Sequence, residues 1–325
     1  MKTCVFDIET DGLLEDLTKI HCLVLYDVEE GKLSSFIGEQ ILDGLFLLKN
    51  FDTIIGHNIL GFDLLALKSL FKWKPEPTQK VRDTLVWSRL VYPDRAKRDF
   101  NNQAIDKDQY GRHSLKSWGQ RLNFDKGEFT DFEELSDEMV EYCENDVQLN
   151  YKLYCKLLEA KFPDGSVQLE HDIHTICLRQ TENGFPFDVE GASKLYAELA
   201  EKRDKLQGKL KEVFGSWVVD EGSRRNDTYN KIKIVDFNPN SRKHIAKRLT
   251  ELRGWKPKEF TPTNEPKVDE QILSKLPYPE AKLMAEAFGV NKLIAQLSEG
   301  KHAWLHHEKN GKIHGSVNTM GSISS

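Results

Sequence analysis

Short β-rich runs and longer helical patterns alternate in the first half of the chain. Residues 3–6 and 21–26 are apolar β-rich runs, and a turn at residues 29–31 lets residues 32–37 add a third strand of a meander. Residues 52–55 predict a further short strand. Helices are predicted at residues 40–49, 62–71, 84–90, 115–122, 136–144 and 147–158, the last two as one helix or as two end to end. This alternation predicts an α/β domain.

The pattern changes twice along the chain. Residues 93–112 are rich in Asp, Asn, Lys and Arg, which predicts a long, mobile surface loop. The sequence Phe162-Pro-Asp-Gly165 breaks the chain, so the first domain is predicted at residues 1–165. A mostly helical region is predicted at 166–303, with helices at 167–182, 188–214, 241–253, 269–276 and 279–299 and a polar, basic loop at 221–233. Residues 304–317 predict a hairpin that opens a last segment, 304–325.

Composition narrows the class of protein. A chain of 325 residues with 39% hydrophobic and 30% charged residues is typical of a soluble globular protein of about two domains. The apolar runs are too short to span a bilayer and the N-terminus lacks a signal-peptide pattern, so a cytoplasmic protein without a membrane segment is expected. Five scattered cysteines predict buried thiols in a reducing compartment. The net charge of −6 comes from the acidic first half, whereas the mildly basic second half can contact phosphates.

Acidic residues recur at spacings that chemistry can use. Asp7 and Glu9 are at positions i and i+2 of a predicted strand, so their carboxylates lie on one face. Asp63 opens a predicted helix, and Tyr142 and Asp146 share a face of a later helix at i and i+4. Each signal alone also fits a solvated strand end, a favourable charge at a helix N-terminus, or a half-buried surface tyrosine. Together, in this order within one α/β domain, they predict an active site.

Four carboxylates without His or Cys ligands favour hard cations, so two Mg²⁺ or Mn²⁺ ions are predicted. Such a pair activates water and stabilises the leaving oxygen of a phosphodiester, which predicts a two-metal 3′→5′ exonuclease. We assign Asp7 to both ions, Glu9 and Asp146 to the ion that holds the attacking water, and Asp63 to the ion at the leaving group. Tyr142 is expected to orient the water.

These elements resemble the three exonuclease motifs of the DEDD superfamily, in the variant whose fifth residue is tyrosine. Further segments, at residues 82–90, 114–122, 183–188 and 237–242, resemble family A DNA polymerases, especially the replicative enzymes of short-tailed phages. The resemblance covers nearly the whole chain. It implies a ribonuclease H-like proofreading exonuclease domain with a mixed sheet, a helical thumb-like region that grips duplex DNA, and the start of a palm strand at residues 304–325.

The resemblance also implies partners. The expected substrates are a single-stranded 3′ end and a primer-template duplex, in the cytoplasm of an infected bacterial host. Because the palm aspartates and the fingers helix are missing from these residues, a second chain that carries palm and fingers is expected for polymerisation. The stretch at residues 218–235 is short, so no thioredoxin-binding loop is expected. The predicted DNA contacts are Asn58, beside the carboxylates, and the basic residues Arg224, Arg225, Lys231, Lys233, Arg242, Lys243, Lys247 and Arg248.

Two other functions use the same residues. A stand-alone 3′→5′ exoribonuclease needs the same four carboxylates, but the thumb-like residues 183–318 argue against it. A non-catalytic DNA-holding subunit could use the carboxylates for a structural metal, but such a site has little use for Tyr142.

Overall fold

The chain forms two compact units. The computed structural model describes residues 2–102, 105–124, 127, 129–220 and 232–321. Residues 1–183 and 316–325 belong to unit 1, and residues 184–315 belong to unit 2. In the described part of the chain, no helix is both long and apolar enough to cross a membrane.

A mixed sheet of five strands is the framework of unit 1. Its strands are β1 (Thr3–Thr10), β2 (Ile20–Asp27), β3 (Lys32–Ile37), β4 (Thr53–Gly56) and β5 (Lys80–Asp83). Their order in the sheet is β3-β2-β1-β4-β5, with β1 to β3 antiparallel and β4 and β5 parallel to β1. The predicted α/β class with a mixed sheet and many helices is therefore confirmed. β1 lies in the centre, where both of its faces are covered.

The described residues of unit 1 form seven α-helices. They are α1 (Ile41–Leu48), α2 (Asp63–Phe71), α3 (Thr84–Val91), α4 (Arg95–Asn102), α5 (Leu115–Arg121), α6 (Asp137–Glu159) and α7 (Asp164–Asn183). α6 is a single helix, so the two predicted helices at 136–158 run on without a break. Its start follows from capping, because the Ser136 hydroxyl accepts a hydrogen bond from the Met139 N–H.

Apolar side chains hold the sheet between helices. On one face, Phe6 and Ile8 of β1 share a buried cluster with residues of α1 and α2, such as Leu45 and Leu67. On the other face, Val5 shares a smaller buried cluster with the inward side of α6. Because alternate residues of β1 enter different clusters, Asp7 and Glu9 lie on the α6 side. The sheet thereby brings the first and last predicted site elements together.

The sequence analysis missed one strand of unit 1, and one loop that it predicted is wrong. The hydrophobic pattern does not indicate strand β5, because two of its four residues are basic and one is acidic. Its Arg82 is buried and forms an ion pair with Asp164 at 2.6 Å. The loop predicted at residues 93–112 contains α4. There, Asp99 is only 2% exposed and bonds Arg121 at 2.7 Å and Arg95 at 3.0 Å. The sequence around Asp99 does not indicate its burial, because its partner Arg121 lies 22 residues further along the chain.

Unit 2 is mostly helical. Its helices are α8 (Val189–Phe214), α9 (Arg242–Arg253), α10 (Glu270–Ser274) and α11 (Pro279–Ile294), and its strands are β6 (Phe185–Pro186), β7 (Ser216–Asp220), β8 (Ile232–Asp236), β9 (Glu308–Lys309) and β10 (Lys312–Ile313). The predicted cap of α8 is present, since the Asp188 carboxylate accepts a hydrogen bond from the Gly191 N–H. The core joins α8, α9 and α11, with Phe214 and Phe237 rings 4.7 Å apart.

Two features of unit 2 differ from the expectation. β7 and β8 form an antiparallel pair, so the loop predicted at 221–233 is too long at its C-terminal end. Residues 221–231 of that loop lie outside the described residues. Strand β10 pairs with both β9 and β6, so the predicted hairpin gains a third strand from the start of the unit. The predicted domain boundary at residue 165 stays a prediction; in the structure α7 belongs to unit 1 and shares a buried cluster with α3, α5 and α6 through Val167.

Candidate metal centre and its cleft

Asp7 and Glu9 stand near the end of β1 and line an open cleft of about 820 Å³. Both side chains are half-buried. The register of β1 against β2 shifts directly after Glu9, which marks an irregularity where the strand leaves the sheet. The sequence prediction that both residues serve one site agrees with this placement.

Asp63 contacts the same centre from the protein interior. It is the first residue of α2, is only 4% exposed and is hydrogen-bonded to the Asp7 side chain. Burial raises the pKa of Asp63 to about 7, while the backbone N–H groups of Asp63 and Ile8 oppose that rise. Two carboxyl groups in contact are stable when they share a proton or when a cation lies between them. The Asp7–Asp63 pair is therefore suited to a divalent cation.

α6 contributes the remaining predicted residues. Tyr142 and Asp146 lie one helical turn apart and both line the cleft with Asp7 and Glu9. The Tyr142 ring is held by two other aromatic rings, Phe132 at 6.2 Å in an edge contact and Phe129 at 5.7 Å. The structure thus brings together all five residues predicted for the exonuclease site.

Basic residues that the sequence reasoning missed also line the cleft. They are Arg89, Arg112, His113 and Lys116. Arg112 falls in the segment predicted as a polar loop, so the clustering of basic residues there was the available signal. Burial lowers the pKa of His113 to about 4, and the neighbouring Arg121 adds to this effect. The cleft therefore combines carboxylates with fixed cations, which suits a phosphate-bearing ligand.

A buried carboxylate fixes the loop between β4 and α2. Asp83 is fully buried, and its oxygens accept hydrogen bonds from the N–H groups of Asn58 at 2.9 Å and Leu60 at 3.1 Å. It also caps α3 by accepting from the Leu85 N–H at 2.9 Å and the Val86 N–H at 3.4 Å. Burial raises the pKa of Asp83, whereas these hydrogen bonds lower it. Asp83 thus holds together two segments that line the cleft.

Thr84 extends this network to α6. Its hydroxyl donates to the Asn150 side-chain oxygen at 2.6 Å and is hydrogen-bonded to His57 Nδ1 at 2.9 Å. Asn150 lies one helical turn after Asp146, and His57 is the first residue of the loop that leads from β4 to Asp63. The network therefore sets the spacing between the elements that carry Asp63 and Asp146. Sequence reasoning missed it because these residues are far apart in the chain.

The predicted DNA contacts are divided between the units. Asn58 lines the cleft of unit 1. In unit 2, Arg242 begins α9 and lines a separate groove of about 720 Å³. Lys243 pairs with Glu265 at 2.9 Å and Lys247 with Glu251 at 2.8 Å.

The other predicted DNA contacts are Arg248, Lys233, Arg224, Arg225 and Lys231. Arg248 bonds the backbone oxygen of Phe214 and lies 5.3 Å from the Trp217 ring. Lys233 is exposed on β8. Arg224, Arg225 and Lys231 lie outside the described residues.

Comparison with known proteins covers nearly the whole chain. No protein-family model matches it. Alignments over 98% of the chain give 31% identity with the DNA-directed DNA polymerase of Enterobacteria phage T3 and 30% with that of Escherichia phage T7. The chain is homologous to these phage DNA polymerases. It spans 60% of the length of each.

A solved structure has a similar fold. It is the POL domain of Pol1 from M. smegmatis in complex with DNA primer-template and dNTP, with a TM-score of 0.64 and 13% identity. The match covers 98% of this chain and 49% of that chain. At this identity the likeness concerns the fold.

We expect Asp83→Ala to lower the free energy of unfolding of unit 1 by at least about 2 kcal/mol, because it leaves buried N–H groups without their acceptor. Urea denaturation followed by circular dichroism measures this change. The control is Asp43→Ala, which removes an exposed carboxylate of α1 and should stay within about 0.5 kcal/mol of the parent. Equal stability of the two variants would contradict the structural role of Asp83.

Proposed function

We propose that this chain is the 3′→5′ exonuclease and DNA-gripping portion of a phage replicative DNA polymerase of family A. One observation carries the proposal. Asp7, Glu9, Asp146 and Tyr142 line a single cleft, and Asp63 contacts Asp7, in a chain that is homologous to phage DNA polymerases. On this proposal unit 1 contains a ribonuclease H-like exonuclease domain that proofreads newly made DNA.

The four carboxylates are suited to divalent cations. Asp7, Glu9, Asp63 and Asp146 would hold two Mg²⁺ or Mn²⁺ ions, since these cations prefer oxygen ligands. When bound, such ions activate water and stabilise the leaving 3′ oxygen of a phosphodiester. The contact between Asp7 and Asp63 supports this assignment, because it places two acidic groups where a cation relieves their repulsion.

The other residues of the cleft would position the substrate. The Tyr142 hydroxyl would orient the attacking water, and the contacts of its ring with Phe129 and Phe132 limit its motion. Phe132 lines the cleft and offers a surface on which the terminal base could stack. Arg89, Arg112 and Lys116 would attract the phosphates of the entering strand and offset the negative charge of the carboxylates.

DNA rather than RNA is the proposed substrate. The carboxylates would serve an exoribonuclease equally well, but the similarity to DNA-directed DNA polymerases favours DNA. A non-catalytic DNA-holding role is the remaining alternative, and an assay for Mg²⁺- or Mn²⁺-dependent release of 3′ nucleotides tests it. Three further expectations stay predictions: a second chain with palm and fingers, the lack of a thioredoxin-binding loop, and the location in the host cytoplasm.

Unit 2 would grip duplex DNA. Its α9 begins with Arg242 and Lys243, which follow a capping serine whose hydroxyl accepts from the His244 N–H. The exposed pair of Lys243 with Glu265 is weak, so Lys243 can exchange its carboxylate partner for a phosphate. Among the predicted thumb residues that the structure describes, Arg242 and Lys243 are therefore the best candidates.

We expect the wild-type protein with Mg²⁺ or Mn²⁺ to release nucleotides from the 3′ end of a 5′-labelled single-stranded DNA oligonucleotide. The double variant Asp7→Ala/Glu9→Ala should lose this activity, because it removes half of the proposed ligands. Glu141→Ala, an exposed position of α6 next to Tyr142, is the matched control and should retain it. Digestion by the double variant at the wild-type rate would refute the assignment, and cleavage of the matching RNA in preference to DNA would favour the exoribonuclease.

Tyr142→Phe should slow single-turnover cleavage by roughly tenfold to a hundredfold, because the ring contacts remain while the hydroxyl that orients water is lost. Rapid quench of a labelled oligonucleotide measures the rate. Metal binding, followed by calorimetry, should stay at the wild-type level. An unchanged single-turnover rate would rule out this role for Tyr142.

The double variant Arg242→Ala/Lys243→Ala should bind duplex DNA with a shallower dependence on salt. Each lost phosphate contact reduces the slope of log affinity against log salt concentration by roughly one. Fluorescence anisotropy at several NaCl concentrations gives the slopes. Lys282→Ala, at an exposed position of α11, is the control and should leave the slope unchanged. If the double variant and the control give the same slope, these two residues do not contact phosphates.

A further inference from the structure

Two buried cysteines lie against the carboxylates of the candidate metal centre. Cys143 is on α6, directly after Tyr142, and is fully buried. Its Sγ lies 4.0 Å from Asp7 Oδ2. A thiol is not needed for a site that binds only Mg²⁺, because this cation prefers oxygen ligands. Mg²⁺ binding therefore does not explain why the thiol of Cys143 lies beside Asp7.

The second cysteine comes from the neighbouring strand. Cys22 of β2 stands opposite Glu9 in the antiparallel β1–β2 pair, so their side chains lie on the same face of the sheet. Cys22 is also fully buried, and its thiol is hydrogen-bonded to that of Cys143. Two thiols from different elements thus meet beside two carboxylates.

The donor atoms lie close enough together for one cation to bind them. One carboxylate oxygen each of Asp7 and Glu9 and the Sγ of Cys143 lie within 4.8 Å of one another. Two ligands bound tetrahedrally to one cation at about 2.0 to 2.3 Å are roughly 3.3 to 3.8 Å apart, so binding requires these donor atoms to approach one another slightly. Asp7 and Glu9 also line the open cleft, so a cation from solvent can reach the group.

We propose that Asp7, Glu9 and Cys143 form a binding site for a thiophilic divalent cation such as Zn²⁺ or Cd²⁺. A mixed set of thiolate and carboxylate ligands favours these cations over Mg²⁺. On binding, the S–H bond of Cys143 breaks, a sulfur–metal bond forms and the proton passes to the buffer. Cys22, in contact with Cys143, orients the liganding sulfur.

Binding of such a cation has a consequence for catalysis. Because Asp7 and Glu9 are shared, a cation held by Cys143 competes with Mg²⁺ for the same carboxylates. Zn²⁺ or Cd²⁺ therefore inhibits Mg²⁺-dependent cleavage. This consequence rests on the exonuclease function proposed above, whereas the binding itself does not.

Titration of the full chain with Cd²⁺, monitored by ultraviolet absorption, tests the binding. Cadmium bound to a thiolate gives a sulfur-to-metal charge-transfer band, which we expect in the wild-type protein and which Cys143→Ala should remove. Asp7→Asn should weaken Cd²⁺ binding without removing the thiol. The control Cys155→Ser/Cys177→Ser removes the two partly exposed thiols and should keep the band.

The results separate the two proposals. A band that persists in Cys143→Ala, or that disappears in the control, would overturn the proposed site. If the site exists, Cd²⁺ inhibition of Mg²⁺-dependent cleavage, measured relative to each protein's own Mg²⁺ rate, should be weaker in Cys143→Ala. If the wild type shows the band but no Mg²⁺-dependent cleavage, the binding site stands and the exonuclease proposal fails. If the wild type shows Mg²⁺-dependent cleavage but no band, the exonuclease proposal stands and the proposed Cys143 site fails.

Discussion

The candidate site depends on a buried carboxylate that is not one of its proposed metal ligands. Asp83 is fully buried, and a buried carboxylate is stable only where donors surround it. Backbone N–H groups on both sides of it meet this need, so the loop before α2 and the first turn of α3 cannot move apart without exposing it. His171 completes the arrangement by accepting a hydrogen bond from the Asp83 N–H at 2.7 Å. Burial lowers the pKa of His171 to about 4, so at neutral pH its ring stays uncharged and can accept this bond.

Further buried contacts connect Asp83 to the other elements that line the cleft. Thr84, the next residue, bonds Asn150 of α6, and α6 packs its apolar side against β1 and β2. The four predicted metal ligands therefore rest on three elements whose separations are set by buried contacts. Such support is what a site needs when its carboxylates must stay close despite their repulsion. Their repulsion is in turn the property that makes the cleft suited to cations.

The same centre combines hard and soft ligands. Oxygen atoms of Asp7, Glu9, Asp63 and Asp146 favour Mg²⁺ or Mn²⁺, whereas the sulfur of Cys143 beside Asp7 favours cations of another class. Packing alone explains a small apolar side chain at position 143, since Val147 shares its buried cluster. It does not explain why the thiol is directed at a carboxylate. The metal available to the protein would then decide which set of ligands is used.

The sequence by itself determined the class of the fold and the five residues of the candidate site. Strand and helix periodicity placed Asp7 with Glu9 and Tyr142 with Asp146, because side chains at i, i+2 in a strand and i, i+4 in a helix share a face whatever surrounds them. Tertiary structure alone decided the burial of Asp83 and Asp99, the charged strand β5, and the cations that line the cleft. From the residues around them in the sequence, these polar residues are expected at the protein surface. They are buried, or face one another, through partners such as Asp164 for Arg82 and Arg121 for Asp99, and a local window of sequence cannot contain such long-range pairs.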